Sequence, residues 1–67
     1  MYDAIWYCNG KEIPVVVKSY LGKINNREYV AIEESTTGIP LDQVWFVDGN
    51  SLVSAWIDPR GNINLCE

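Results

Sequence analysis

The chain contains no histidine. That absence removes the commonest general base, the usual partner of a nucleophilic serine or cysteine, and the commonest metal ligand. Cysteine is scarce as well: Cys8 and Cys66 stand near opposite ends of the chain and form none of the CxxC spacings by which zinc sites are known, so no metal is assigned. Asp48 and Asn50 sit in DGNS without the further acidic ligands of a calcium loop. Neither GxGxxG nor GxxxxGK[ST] occurs, so no phosphate-cradling loop and no cofactor are expected. No apolar run approaches the roughly 20 residues that span a bilayer. The N-terminal MYDAIWYCNG lacks a basic leader and an unbroken apolar stretch, and the expectation is a cytoplasmic, unsecreted chain without a membrane partner. Basic side chains are few, five against nine acidic ones, and the net charge of −4 disfavours a phosphate backbone as partner. Lys18, Lys23 and Arg27 fall close together and would be the phosphate contacts of a nucleic-acid binder, with tyrosines stacking on bases. A solvated loop is the plainer reading of those three.

Helical patterning is also missing, since no stretch of ten or more residues keeps apolar positions at helical spacing without a glycine or proline. What is present has a period of two. In YDAIWYC, Tyr2, Ala4, Trp6 and Cys8 share one face and Asp3, Ile5 and Tyr7 the other. Asn9-Gly10 comes directly after, and a tight primed turn needs positive φ at both central residues, which this pair supplies. EIPVVVKSY reads as the second strand, with Pro14 near its start where a missing amide proton costs little. KINNRE reads as a polar loop, EYVAIEE as the third strand and VWFV as the fourth. LVSAWI is expected as one fifth strand and INLC as a sixth, separated by the turn DPRGN. Between the third and fourth, Pro40 fixes φ and opens a single 3₁₀ turn.

At 67 residues the chain is one domain, and such a domain buries only roughly 60% of the surface that its unfolded chain exposes. Five or six short strands in so small a unit are expected to bend into a small closed barrel. The order of long early strands, a polar loop, and a Gly-Ile-Pro-Leu turn ahead of the later strands resembles SH3-like and Tudor-like small barrels. That resemblance implies an all-β fold of five to six strands with a 3₁₀ turn near Pro40. In such a barrel the terminal strands lie side by side, which would make Cys8 and Cys66 neighbours; in a cytosolic chain both are expected as free thiols.

The segment GIPLDQVWF places Ile39, Pro40, Leu41, Val44, Trp45 and Phe46 within nine positions, more apolar surface than one strand face hides. If Val44 and Phe46 point inward, Trp45 points out. Val53, Ala55 and Ile57 inside would turn Trp56 outward, and Val15 and Val17 inside would leave Val16, Lys18 and Tyr20 outside. Trp6, beside Ala4 and Cys8, is read as core. Eight aromatic residues exceed the four or five that such an interior encloses, and exposed Trp and Tyr are enriched at binding hot spots. Asp42, Asp48 and Asp58 lie beside turns, where aspartate bonds its own backbone or stays solvated rather than acting in catalysis.

The sequence therefore favours a non-catalytic module that binds a protein partner through an aromatic and acidic face made of Trp45, Trp56, Tyr20, Asp42 and Asp58. Self-association as a homodimer through Trp45 or Trp56 is expected from the apolar surplus. The character also suits a small accessory or inhibitor protein of a mobile element or phage. Two alternatives stand beside this reading: a Tudor-like aromatic cage for methylated side chains, and a small-molecule or enzymatic pore created by oligomerisation.

Overall fold

The computed structural model describes residues 1–66. Its strand pattern is set by tight turns. Asn9 and Gly10 both hold positive φ, 52° and 76°, and join β1 (Tyr2–Cys8) to β2 (Lys11–Ile24) as the sequence predicts. Asn25 and Asn26, at 51° and 64°, do the same between β2 and β3 (Arg27–Ile32). The expected polar loop KINNRE is thus mostly strand. Asparagine tolerates the left-handed region, so two residues reverse the chain and Ile24 pairs directly with Arg27.

After β4 (Ile39–Pro40) comes the 3₁₀ turn Leu41–Gln43, entered from Pro40 at φ −65°. β5 (Val44–Asp48) turns at Gly49, φ 61°, into β6 (Ser51–Val53). The predicted single strand LVSAWI is broken at Ser54, whose carbonyl accepts the Cys66 N–H at 2.8 Å. There the chain leaves the first sheet for a second, formed by β7 (Ala55–Ile57) and β8 (Ile63–Leu65).

The fold is all-β. One antiparallel sheet runs in the order β4-β3-β2-β1-β5-β6, and β7-β8 form the other. The larger sheet ends at β4 and β6 and does not close into a barrel. The terminal strands are not side by side either. Both edges of β1 are taken, by β2 and β5, and β8 pairs with β7, which removes the reason for placing Cys8 beside Cys66. Both thiols are free. Pro14 sits where β2 has β1 on one side and no strand on the other, because β3 joins only from Val17 onward.

β2 carries two register shifts, between Val17 and Ser19 and between Tyr20 and Gly22. Each extra residue bends the strand and re-aims the side chains beyond it. Ala4, Val15, Val17, Val30, Ile32, Val44 and Phe46 point to one side and, with Ile39, Leu41 and Ile63, make the buried core. Tyr2 meets Phe46 edge-on, ring centroids 5.8 Å apart at 88°, and its hydroxyl donates to the Ile63 carbonyl at 3.3 Å. Ala55, Ile57 and Leu65 also pack against this core, so the β7-β8 hairpin covers the inner side of the large sheet. Trp6 packs against it from β1, and its indole N–H donates to Gln43 Oε1 at 2.9 Å, tying the first strand to the 3₁₀ turn.

Candidate interaction surface

Alternation fixes what lies on the other side of the large sheet. Trp45 stands between buried Val44 and Phe46 and is 42% exposed, as its parity predicts. In register with it across β1 and β2 lie Ile5 and then Pro14, which gives one apolar row over three strands. The neighbouring row begins with the cross-strand pair Leu52 and Val47, 44% and 40% exposed. On β1 and β2 that side continues with Asp3 opposite Val16 and Tyr7 opposite Glu12. Apolar side chains at alternate positions on four adjacent strands thus make an outer patch, interrupted at Asp3, on the side away from the core among the described residues.

At one end of this patch lies a groove of about 280 Å³, lined among others by Lys23, Arg27, Leu41, Asp42, Trp45 and Ala55. Arg27 and Asp42 form a fork there: Nε donates to Oδ2 and Nη2 to Oδ1, both at 2.9 Å. The hydrogen bond from Arg27 is the main cause that lowers the Asp42 pKa below the usual carboxylate value, and the same bond raises that of Arg27. Both partners are well exposed, so water screens the pair and its effect is chiefly to fix the two side chains beside Trp45. Among the described residues no cluster of potential metal ligands occurs.

Of the five residues expected to share one face, Trp45 and Asp42 are brought together at this groove. The other three are elsewhere. The alternation predicts an outward Tyr20, but the bulge after Val17 flips it, and Tyr20 pairs with buried Val30 and packs half-buried against the core. Its phenol pKa is raised, first by burial and then by the Glu28 carboxylate. Asp58 is occupied by its own turn, with Oδ1 accepting the backbone N–H of Arg60 and Asn62 at 3.0 and 2.9 Å and Oδ2 accepting Asn64 Nδ2 at 3.3 Å. Those donors, Asn62 foremost, lower its pKa. Trp56 is 52% exposed, as expected, but it belongs to β7, opposite Asn64 in the smaller sheet.

Ile5, Pro14, Val47 and Leu52 are not among the site residues expected from sequence, although the signal was legible. Once Trp6, Val15, Phe46 and Val53 are placed inside, these neighbours must face out, and all four are apolar. Leu21 and Ile24, 58% and 63% exposed, form a second small apolar spot where β2 is bulged, with Leu21 lying over Gly38. Compared with family models, with curated proteins and with solved structures, the chain matches none of them.

Proposed function

We propose that this chain is a non-catalytic protein-interaction module whose docking surface is the outer face of β6, β5, β1 and β2, centred on Trp45. The observation that carries the reading is the contiguity of Trp45, Val47, Leu52, Ile5 and Pro14 in adjacent register rows. Isolated apolar residues on a surface are ordinary, whereas a patch of this extent on so small a domain points to a partner. A strand-built platform that includes a rigid indole contributes large contact area at low entropic cost. The 3₁₀ turn immediately ahead of β5 supports the SH3-like resemblance in element order. Action as a small accessory or inhibitor that occludes a larger protein is the biological form this reading takes.

The aromatic-cage alternative has less support, because Trp45, Tyr20 and Trp56 lie in three different places and Asp58 is held by its own loop. The test is comparative capture from lysate with the unchanged chain, with Val47→Asp and with Trp56→Ala, each first shown to be folded by near-ultraviolet circular dichroism. A partner recovered by the unchanged chain and by Trp56→Ala but lost with Val47→Asp supports the outer face. Equal recovery by all three overturns it.

A further inference from the structure

We infer that the outer face is built for a positively charged partner surface and not for a second copy of this chain. The inference rests on the docking surface proposed for that face and specifies the chemistry of what docks. The apolar rows are bordered by carboxylates: Asp3 lies opposite Val16, Glu12 lies opposite Tyr7, and Glu34 is fastened at the same border by accepting the Val16 backbone N–H on Oε1 at 3.0 Å. Asp3, Glu12 and Glu34 are all exposed. The cations are fewer there, and Arg27 beside Trp45 is neutralised by Asp42. Lys11 shares the inward parity of Cys8, Lys23 and Arg27 line the groove beyond Trp45, Arg27 is held by Asp42, and Arg60 lies in the β7–β8 turn. Lys18, at the first bulge of β2, also borders this side, and it lines a depression with Glu33 and Glu34.

An apolar centre with an acidic border complements a partner that presents apolar side chains among lysines or arginines. Opposite potentials steer such an encounter and set its register. Symmetric self-pairing would press the same patch against itself. That arrangement sets one acidic border against another on a chain of net charge −4, which disfavours it. A homodimer through Trp45 is therefore the competing outcome.

The probe is a short peptide of alternating lysine and leucine, with the glutamate–leucine peptide of the same length as control. Backbone and indole amide shifts of the full chain are tracked by NMR, first across a range of protein concentration without peptide. The expected result is shifts confined to Trp45, Val47, Leu52, Ile5 and Tyr7 with the lysine peptide only, weakening as salt is raised. Neutralising the border with Asp3→Asn plus Glu12→Gln, positions that leave the core untouched, weakens binding by roughly two- to five-fold per charge. Val47→Asp weakens it by roughly tenfold or more. If both peptides shift the face equally, the docking surface stands and the cationic partner is wrong. Should neither peptide shift it, the docking surface itself fails. Concentration-dependent shifts of the same residues without peptide assign the face to a second copy, and lysine-peptide shifts at Glu33 and Glu34 alone overturn the inference as well.

Discussion

Phe46 and Trp45 are successive residues of one strand, each a large aromatic side chain, and the fold treats them oppositely. Phe46 is fully enclosed and met edge-on by Tyr2, while Trp45 keeps two-fifths of its surface in water. The same contrast holds for Val15 against Pro14. One side of the sheet has gathered the 3₁₀ turn and the second sheet. The other side has received none of the described elements, yet Ile5, Pro14, Val16, Trp45, Val47 and Leu52 outnumber Asp3 and Glu12 there, where polar residues normally alternate with a core face. The docking surface proposed above is built on the apolar rows of that uncovered side.

The comparison breaks hardest at Phe46. Phe46→Ala removes the largest fully buried side chain and is expected to cost about 3–5 kcal/mol, because transfer energy and cavity formation add. A domain of this size has roughly that much stability in all. Urea unfolding should show a chain that is largely unfolded at zero denaturant; retention of a cooperative transition near the parent midpoint would contradict the core assignment.

At Gly22 the backbone itself carries the bend that separates the two faces of β2. Its φ of 133° lies in a region that side chains rarely adopt, while nothing lies within 4 Å of an added Cβ. Gly22→Ala should therefore cost about 1–3 kcal/mol from backbone strain alone. The bulge at Gly22 is one of the two that bend β2 around the core, so strain there should also disturb Tyr20, read as a change in its near-ultraviolet circular dichroism. An unchanged unfolding midpoint would mean that the bend does not depend on glycine.

Legibility in the sequence divides along the line between local and non-local forces. The Asn9-Gly10 turn, the 3₁₀ turn after Pro40 and the outward Trp45 and Trp56 are readable, because each depends on one residue's φ preference or on side-chain parity. The bulges are not readable. They arise where β2 must curve to serve two neighbours, and nothing in VVVKSYLGK marks the extra residues except Gly22 itself. The first of those shifts alone moves Tyr20 from the outer side to a half-buried place against the core. The break at Ser54 is hidden for a related reason: LVSAWI alternates well enough for one strand, and only the hydrogen bond from Cys66 shows where the chain crosses over. Asp58 belongs to its turn and not to a binding face, a structural role that the turn chemistry of DPRGN already offers.

A weaker effect separates the polar fastenings from the packed core. Asp42 and Asp58 both have pKa values lowered below the ordinary carboxylate value of 3.8, by Arg27 and by the Asn62 backbone N–H respectively. A lowered folded-state pKa gives stability that is present above the unfolded value and is lost as pH falls through the folded one. Stability should thus be level from neutral pH down to about pH 5 and decline below about pH 4. Asp58→Asn should flatten that decline more than Asp42→Asn, since Asp58 accepts three hydrogen bonds within a closed turn while Asp42 belongs to an exposed, screened pair. Urea midpoints collected across the acid range decide it, and an unchanged acid limb in Asp58→Asn would assign the loss of stability to other carboxylates.

The smallest expected effect on stability is also the most informative about function. Trp45→Ala removes an aromatic side chain as large as any in the core, so a structural role would show as a loss comparable to that of Phe46→Ala. The indole, however, stands on the uncovered side, at the end of the row Trp45, Ile5, Pro14, and has no second layer to fill. Surface truncations of this kind usually fall within about 0.5 kcal/mol. The urea midpoint should therefore barely move, while binding to the lysine–leucine peptide should fall by roughly tenfold or more, as truncation of a central hot spot does. A midpoint that collapses with Trp45→Ala would make the indole part of the core and erase the contrast between the two faces. A midpoint and a binding constant that both hold would leave the contrast intact and move the centre of the docking surface to Val47 and Leu52.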